Sequence, residues 1–341
     1  MKVLIIGGTG LISTVVTRLL IEREHEVLIY NRGIRESKIP DKTVRILGDR
    51  RNREQFEMKM AEAGDFDCVI DMICFTPEDA ESAVRAFRGR TEQYILCSTV
   101  AVYTKSVKHY PVTEDTERNP SPSFVYGYNK ARCENIILKA HDQGDFPVTI
   151  IRPSHTYGES GTILHTLGWG TDYLDRLRKG KPIVVHGDGS SLWSPCYKAD
   201  MGRAFVGAVG NPKALGKSYH VTAEEWMTWN CYHREVAEAM GAPPPRLVHI
   251  PTDLLEKIAP EQANLCIEDL RFNNIFDNIS ARTDLGFRST VPWVEGVRRT
   301  VAWLDKRGQI ENSDDGTFYD QIIAAWERLV ANMTHDLMSQ E

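Results

Sequence analysis

Several features that mark other protein classes are missing from this chain of 341 residues. No apolar run approaches the ~20 residues that a membrane-spanning helix needs. The apolar opening, residues 1–6, is broken at once by Gly7 and Gly8, and no small-residue cleavage pattern follows it. The sequence therefore predicts a soluble, cytoplasmic protein without a membrane partner.

The cysteine spacing and the net charge also lack the patterns that indicate a metal site or nucleic-acid binding. The seven cysteines are odd in number and form no CxxC pair and no Cys/His cluster. A disulfide framework and a metal site are therefore not expected. The formal net charge of −6 does not suit a general nucleic-acid scaffold, which must neutralise phosphates with lysine and arginine.

The first half of the chain alternates short apolar runs with helix-like stretches. The predicted strands are Val3–Ile6, Val27–Tyr30, Val44–Leu47, Cys68–Ile73, Tyr94–Cys97 and Val148–Ile151. The predicted helices are Leu11–Glu24, Arg53–Ala63, Pro77–Phe87 and Tyr126–His141. Near-continuously apolar strands are typical of a sheet covered on both faces, and their alternation with helices predicts a doubly wound, parallel α/β sheet of the Rossmann type.

After about residue 160 the pattern becomes mixed α/β. The predicted elements there are the strands Pro182–His186 and Leu247–Ile250 and the helices Asp200–Val209, Trp229–Met240, Trp293–Lys306 and Phe318–Met333. We predict a dinucleotide-binding Rossmann domain over residues 1–160. A smaller, mixed α/β substrate region would cover 161–335, with some segments returning to the Rossmann sheet. Ligands of open α/β sheets bind beyond the carboxyl ends of the strands, so the cleft is expected between the two parts.

A glycine-rich turn joins the first predicted strand to the first predicted helix. In this context Gly7 permits a tight turn and Gly10 permits close approach of a pyrophosphate, while the helix N-terminus supplies amide donors. Ser13 stands at the third position, where glycine is usual, and it is small enough to pack helix against strand. The turn predicts a dinucleotide site.

Residues after the second and third strands bear on which dinucleotide would bind. An acidic residue at the end of the second strand would select NAD through the ribose hydroxyl, but this chain has Asn31 and Arg32 there. A guanidinium matches the geometry of a 2′-phosphate, so Arg32 favours NADP over NAD; alternatively it is a solvated loop residue. Asp49 is placed to accept a hydrogen bond from the adenine amino group.

Tyr126 and Lys130 stand four positions apart in the fourth predicted helix, so their side chains share one helix face. A free tyrosine has a pKa of roughly 10, too high for a base near neutrality. A fixed cation beside it favours the phenolate and lowers that pKa. The spacing therefore predicts a proton-transfer group. Tyr128, by contrast, is followed four residues later by Arg132 and has no such lysine.

The order of the motifs along the chain resembles that of the extended short-chain dehydrogenase/reductases, the NAD-dependent epimerase/dehydratase family. The resemblance covers nearly the whole chain. The segments that carry it are Gly7–Gly10, Asp49, Ser98–Tyr103, Tyr126–Lys130, Arg152–Gly158, His186–Ser190 and Asp277–Phe287.

The resemblance implies roles for individual residues. Tyr126 would exchange a proton with the substrate hydroxyl while hydride passes to a nicotinamide, and Lys130 would hold the nicotinamide ribose. Thr99 would hydrogen-bond the substrate oxygen, with Ser98 beside it as the second candidate. The expected cofactor-binding residues are Gly7, Gly10, Leu11, Ile12, Asn31, Arg32, Asp49, Arg50, Asp71, Ile73, Cys74, Tyr126, Lys130, Pro153 and His155.

Several positions depart from the family pattern and limit the reaction. The 4,6-dehydratases carry an Asp-Glu pair directly after the threonine, whereas Val100 and Ala101 here cannot transfer protons, so that dehydration is not expected. Trp193 stands where many nucleotide-sugar members have an arginine, and His155 stands where asparagine is frequent. Both are candidate substrate contacts, although Trp193 alternatively belongs to the core. A nucleotide-linked sugar stays open.

These observations predict an NAD(P)-dependent epimerase or dehydrogenase that oxidises a sugar or sugar-like secondary alcohol to a ketone. The Leu192-Trp193 pair also resembles a subgroup that includes chloroplast stem-loop RNA-binding proteins, so an RNA-binding Rossmann scaffold is the alternative. Many family members dimerise through the helix that carries the tyrosine, so a homodimer is expected. The candidate RNA-phosphate contacts are Arg50, Arg51 and Arg53, or Arg176, Arg178, Lys179 and Lys181.

Overall fold

The computed structural model describes residues 1–34 and 39–338. Its strands are β1 (Lys2–Ile6), β2 (Glu26–Asn31), β3 (Val44–Leu47), β4 (Cys68–Asp71), β5 (Tyr94–Cys97), β6 (Val148–Pro153), β7 (Thr156–Tyr157), β8 (Ile183–His186), β9 (Leu192–Trp193), β10 (Cys196–Tyr197), β11 (Lys217–Val221), β12 (Met227–Thr228) and β13 (Leu247–Ile250). The strands predicted for the first half lie within two residues of those observed.

The helices also follow the predicted ones closely, and the sequence missed mainly short helices. They are α1 (Ser13–Glu22), α2 (Arg53–Ala63), α3 (Pro77–Phe87), α4 (Val125–Asp142), α5 (Asp172–Arg178), α6 (Lys198–Ala208), α7 (Trp229–Met240), α8 (Thr252–Ile258), α9 (Ile279–Leu285), α10 (Trp293–Lys306) and α11 (Phe318–Met338). Single 3-10 turns cover Val100–Val102 and Pro212–Ala214, and a π-helical turn covers Cys266–Leu270.

Seven parallel strands form the central sheet, in the order β11-β6-β5-β4-β1-β2-β3. The chain begins in the middle at β1, moves outward to β3, and then crosses to β4 and moves to the other edge. The order reverses between β1 and β4, and ligands of such sheets bind beside this point. The Rossmann-type α/β fold expected from the sequence is therefore confirmed.

Two apolar layers cover the sheet, which explains why its strands are apolar on both faces. Helices α1 and α6 contribute Val16, Leu20 and Phe205 to one layer. Helices α2, α3 and α4 contribute residues such as Phe56 and Ile137 to the other. The alternating side chains of each strand point into opposite layers, so neither face can be polar.

Local capping explains where the helices of the second layer begin. The Asn52 side chain accepts a hydrogen bond from the Gln55 amide at the start of α2. At the start of α3, Thr76 and Asp79 form a reciprocal capping box, with Pro77 in the first turn. These side chains satisfy amide donors that a helix leaves unpaired at its first turn.

The chain forms two compact units. The first comprises residues 1–157, 194–225 and 275–291, and it contains the whole central sheet. The second comprises residues 158–193, 226–274 and those from 292 onward. The segments that return to the sheet unit are thus 194–225, which supplies the edge strand β11, and 275–291. Sequence reasoning missed β11 because Lys217, Ser218 and His220 interrupt its apolar pattern.

The second unit has its own core. Strand β8 pairs with β13, and β9 pairs with β12. An apolar cluster joins Val184, Ile250, Leu255 and Ile322. The substrate-binding role of this unit stays a prediction.

Three further properties hold for residues 1–34 and 39–338. No helix there combines the length and apolarity that crossing a membrane requires. All seven cysteines are free thiols. No group of three or more His, Cys, Asp and Glu side chains is arranged to hold a metal ion.

Candidate functional site

The glycine turn between β1 and α1 is closed by the side chain of Ser13. Gly7 has a φ of +88°, and a Cβ at that position would lie 2.7 Å from Ile73 Cγ2, so glycine is required. The Gly10 amide donates to Ser13 Oγ at 2.7 Å, and that hydroxyl donates to the Gly7 carbonyl at 2.7 Å. The departure from glycine at position 13 therefore stabilises the turn.

The turn leaves main-chain donors available at the start of α1. No side chain caps the helix at Ile12. Within the described part of the chain, the amides of Leu11 and Ile12 have no hydrogen-bond acceptor. Free amides at a helix N-terminus carry partial positive charge and suit an anionic group such as a pyrophosphate. Binding of a pyrophosphate by Gly7, Gly10, Leu11 and Ile12 stays a prediction, and the free amides are compatible with it.

Asn31, Arg32 and Asp49 lie at or just after the ends of two neighbouring strands, since Asn31 is the last residue of β2, Arg32 follows it, and Asp49 follows β3. Asn31 Oδ1 accepts a hydrogen bond from the Gly33 amide at 2.9 Å, and Arg32 is exposed. Asp49 accepts from Arg51 Nη2 at 2.7 Å, and its hydrogen bonds with Arg51 lower the pKa of Asp49 to about 2, with a smaller electrostatic contribution from Arg32. Asp49 is therefore an ionised acceptor near a cation.

Arg50 and Asp71, both expected to contact a cofactor, have buried side chains paired with each other. Arg50 Nη2 lies 2.9 Å from Asp71 Oδ2, and Arg50 and Asp71 are only 4% and 0% exposed. The Tyr94 hydroxyl also donates to Asp71, at 2.6 Å, and Asp71 accepts from the Ile73 amide at 3.0 Å. These side chains support the loop after β4 and are almost fully buried, so they expose little surface to a cofactor. A cofactor contact by either residue stays a prediction.

Cys74 contributes its main chain, not its thiol, to the site. Its buried carbonyl accepts a hydrogen bond from Lys130 Nζ at 2.8 Å, and the carbonyl of Cys97 accepts another at 2.5 Å. Burial of the ammonium lowers the pKa of Lys130, but the nearby Tyr126 and Cys97 outweigh burial and raise it overall. Lys130 is therefore a fixed cation, one helical turn after Tyr126.

Tyr126 lies in the first turn of α4 and is 45% exposed, with its ring edge against Phe124. The next residue, Gly127, lets α4 approach the 3-10 turn after β5: a Cβ there would lie 2.5 Å from the Ala101 carbonyl oxygen. Thr99 begins that turn, where its Oγ1 accepts from the Ala101 amide at 3.2 Å. The tyrosine and the threonine therefore belong to two segments in close contact.

Ser98 is the second candidate for the substrate oxygen, but its hydroxyl is already engaged. It donates to Glu134 Oε1 at 2.5 Å, and Ser98 is only 3% exposed. This geometry favours Thr99 for the role. Sequence reasoning missed Glu134, because glutamate is seldom fully buried and its distant partners cannot be inferred from its neighbours in the sequence.

Two more candidates follow strand β6. Pro153 is its last residue and is buried. His155 is partly exposed, but both of its ring nitrogens are buried, and its ring centre lies 6.2 Å from that of Tyr157. Burial of these nitrogens lowers the pKa of His155 to about 3. His155 is therefore neutral at physiological pH and suits hydrogen bonding more than binding of an anion by charge.

Trp193 belongs to the core of the second unit. It is 4% exposed and its ring centre lies 5.3 Å from that of Trp229, which in turn packs against Tyr232 and His186. The low exposure of Trp193 favours the core alternative over the substrate contact. Large aromatic side chains give their full hydrophobic stabilisation when packed in this way.

The parallel sheet, the glycine turn and the Tyr126–Lys130 helix define an extended short-chain dehydrogenase/reductase. Residues 3–222 match the model of the "NAD dependent epimerase/dehydratase family". The chain belongs to this family.

Relatives that match almost the whole chain include a plant protein and a bacterial protein. A chloroplast stem-loop binding protein of 41 kDa from Arabidopsis thaliana is 28% identical, covering 95% of this chain and 84% of the relative. A 2'-dehydrokanamycin reductase from Streptomyces kanamyceticus is 26% identical, covering 95% and 90%. Among solved structures, UDP-glucose 4-epimerase from Bifidobacterium longum in complex with NAD+ and UDP has a TM-score of 0.69 at 18% identity, covering 91% and 100%, which shows the shared fold.

The close approach at Gly127 can be tested with Gly127→Ala. We expect this variant to lose about 1–3 kcal/mol of unfolding free energy, because the new Cβ forces the Ala101 carbonyl or the Phe124 ring to move. Denaturant unfolding measures the loss. The matched control is Gly316→Ala, where no heavy atom lies within 4 Å. Equal stability of the two variants would contradict the tight contact.

Proposed function

We propose that this protein is an NAD(P)-dependent epimerase or dehydrogenase that oxidises a sugar or sugar-like secondary alcohol to a ketone. The observation that carries the proposal is the Lys130 ammonium, which two main-chain carbonyls hold one helical turn from the exposed Tyr126. The family membership of the chain supports the redox class. The name of the Streptomyces relative, a reductase, supports interconversion of alcohol and ketone.

The proposed mechanism assigns one task to each side chain. Thr99 hydrogen-bonds the substrate hydroxyl, and Tyr126 as phenolate takes its proton. Lys130 remains protonated and stabilises the phenolate by charge. A bound nicotinamide coenzyme would supply the hydride acceptor. In an epimerase the ketone is reduced again on its other face; in a dehydrogenase it is released.

Several features fit a bound dinucleotide. Gly7, held at positive φ, allows the tight turn, and the amides of Leu11 and Ile12 would hold the pyrophosphate. Asp49, held as a carboxylate, would accept from the adenine amino group. Arg32, exposed directly after β2, would pair with a 2′-phosphate and so favour NADP. Pro153 and His155 would border the nicotinamide end.

The 3-10 turn after Thr99 limits the reaction. Dehydration at the sugar 4,6-positions needs an additional acid and base, and Val100 and Ala101 are apolar and each 4% exposed. Neither side chain can transfer a proton. This favours an epimerase or dehydrogenase over a 4,6-dehydratase within the same family.

RNA binding is the second candidate function, because the Arabidopsis relative is named a stem-loop binding protein. The basic residues suggested for phosphate contacts are, however, paired with carboxylates. Arg178 binds Asp305 at 2.5 Å, and Lys179 and Lys181 both contact Asp314. Arg176 is fully buried against Asp320, and similar pairs are Arg50–Asp71, Arg51–Asp49 and Arg53–Asp79. Neutralised cations release few counterions from RNA, so the redox function is the better supported.

The role of Tyr126 can be tested with Tyr126→Phe. We expect a loss of about 10²–10⁴-fold in kcat with little change in coenzyme affinity, because only the acid–base group is removed. Turnover would be followed with NAD+ or NADP+ on a panel of UDP-sugars and aminoglycosides, by NAD(P)H absorbance and by NMR for epimers. Tyr128→Phe, on the same helix, is the control and should retain activity. Full activity of Tyr126→Phe would refute the assignment.

The cofactor preference depends on Arg32. Arg32→Ala should weaken NADP+ binding by about 10–100-fold, the effect of losing a charge-assisted hydrogen bond, and leave NAD+ binding unchanged. Isothermal titration with both coenzymes measures this difference. Arg18→Ala, which removes an exposed arginine on α1, controls for general charge. Unchanged NADP+ affinity in Arg32→Ala would exclude the 2′-phosphate contact.

RNA binding is separable by its salt dependence. We expect filter binding of a stem-loop RNA to remain weak and to show no steep loss between low and physiological salt, because the basic residues are paired. The same protein should carry or bind a nicotinamide coenzyme. Tight, steeply salt-dependent RNA binding without coenzyme binding would favour the alternative.

A further inference from the structure

The carboxylate of Glu134 lies fully buried in α4 and accepts four hydrogen bonds. Oε1 accepts from Ser98 Oγ at 2.5 Å and from Arg152 Nε at 3.0 Å. Oε2 accepts from Arg118 Nη1 at 2.5 Å and from Arg152 Nη2 at 2.8 Å. Both oxygens are therefore fully used, and their partners come from segments far apart in the sequence.

The Arg152 guanidinium is equally constrained. Besides its two bonds to Glu134, it donates to the Tyr103 hydroxyl at 2.7 Å, the Glu114 carbonyl at 2.9 Å and Ser218 Oγ at 3.2 Å. A guanidinium has five N–H groups, so every donor of Arg152 has an acceptor. The fork is planar and rigid, and it therefore fixes the direction from which Glu134 is held.

The network continues from Arg152 to the edge of the sheet. Because the Tyr103 oxygen accepts from Arg152, its own proton is directed to His220 Nε2. His220 Nδ1 then donates to the Asp277 carbonyl at 3.0 Å, and burial lowers the pKa of His220 to about 3, which keeps it neutral. Each of these hydrogen bonds thus has a defined direction.

Three members of this network are close in sequence to residues of the proposed site. Ser98 precedes Thr99, Arg152 precedes Pro153, and Glu134 follows Lys130 by one helical turn. A single carboxylate therefore joins the end of β5, the end of β6 and the helix that carries Tyr126 and Lys130. Displacing it moves all three relative to one another.

Stability alone is a weak reason for this arrangement. Burial raises the pKa of Glu134, but the charges of Arg152 and Arg118 and the hydrogen bonds from Arg152 and Ser98 outweigh it and lower the pKa overall, so Glu134 remains ionised. The free-energy cost of desolvating two charges offsets much of their attraction, and well-packed apolar residues in place of a buried ion pair often give a protein of equal stability. Apolar residues do not fix the orientation of a helix as hydrogen bonds do. Apolar packing tolerates small rotations of the helix, whereas hydrogen bonds are weakened by them.

We propose that Glu134 is a positioning residue that sets the register of α4 against β5 and β6, and so holds Lys130 and Tyr126 in working geometry beside Thr99. The proposal rests on the proposed function, because it concerns the same Tyr126–Lys130 pair. Glu134 acts through these groups and does not touch the substrate.

The test measures the titration of the Tyr126 phenol in the coenzyme-free protein. Tyrosinate absorbs in the ultraviolet, and subtracting the titration of the same protein carrying Tyr126→Phe isolates this one residue from the others. Glu134→Asp keeps the negative charge but is shorter by one methylene and cannot reach all its donors. Glu134→Gln keeps the length and removes the charge.

The titration distinguishes a positioning role of Glu134 from a purely electrostatic one, because the two roles predict different changes in the pKa of Tyr126. If Glu134 positions Lys130, Glu134→Asp raises the pKa of Tyr126 by about one unit or more, because the ammonium is no longer held beside the phenol. Ser98→Ala, which removes one donor and retains the ion pair, should shift it in the same direction by less. If Glu134 acts only as a charge, Glu134→Asp leaves the titration unchanged and Glu134→Gln lowers the pKa.

Two further measurements make each outcome decisive. An unchanged titration in Glu134→Asp and Ser98→Ala, with only a lower melting temperature, would overturn the proposal and leave Glu134 as a structural residue. If Glu134→Asp does not fold, Ser98→Ala decides alone. Lys130→Met is expected to raise the pKa of Tyr126, and if that pKa does not rise, the Tyr126–Lys130 assignment itself fails. If the pKa of Tyr126 rises in Lys130→Met but not in Glu134→Asp, only the role of Glu134 is refuted.

Discussion

The ammonium of Lys130, held between the carbonyls of Cys74 and Cys97, is the interaction on which the site depends. These carbonyls lie just beyond β4 and at the end of β5, where a parallel sheet directs its acceptors toward the ligand side. A buried cation needs such partners, and here they also determine where the cation stands. Because Tyr126 lies one turn earlier on the same helix, fixing the lysine fixes the tyrosine. The backbone of the sheet thus organises the chemistry of a helix.

Two buried ion pairs support the position of Lys130. Glu134 and Arg152 join α4 to two strands, and Arg50 and Asp71 support the loop that supplies the Cys74 carbonyl. Both pairs are almost fully buried, and each joins segments distant in sequence. Asp71 and Arg152 lie at the carboxyl ends of β4 and β6, and ligands of this fold class bind at these ends of the strands. These two buried ion pairs therefore lie at the end of the sheet where the candidate site is expected.

The family includes more than one chemistry, so membership alone does not define the reaction. The turn after Thr99 supports redox exchange without the extra acid and base of a 4,6-dehydratase, since Val100 and Ala101 are apolar. The pairing of basic side chains with carboxylates supports a small-molecule substrate over RNA, despite the name of one relative. What distinguishes the two candidate functions is therefore the state of particular charges and not the fold, which both would share.

The sequence by itself determined the Rossmann fold, most element boundaries, the glycine turn and the Tyr126–Lys130 pair, because these depend on local periodicity and short spacings. Only the tertiary structure decided that Arg50 and Asp71 pair with each other, that Ser98 is bound to Glu134, and that Trp193 is buried in an aromatic core. It also added β11, whose polar residues hide its strand pattern. These features depend on contacts between residues far apart in the chain, and the partner of a buried charge cannot be inferred from its own neighbourhood.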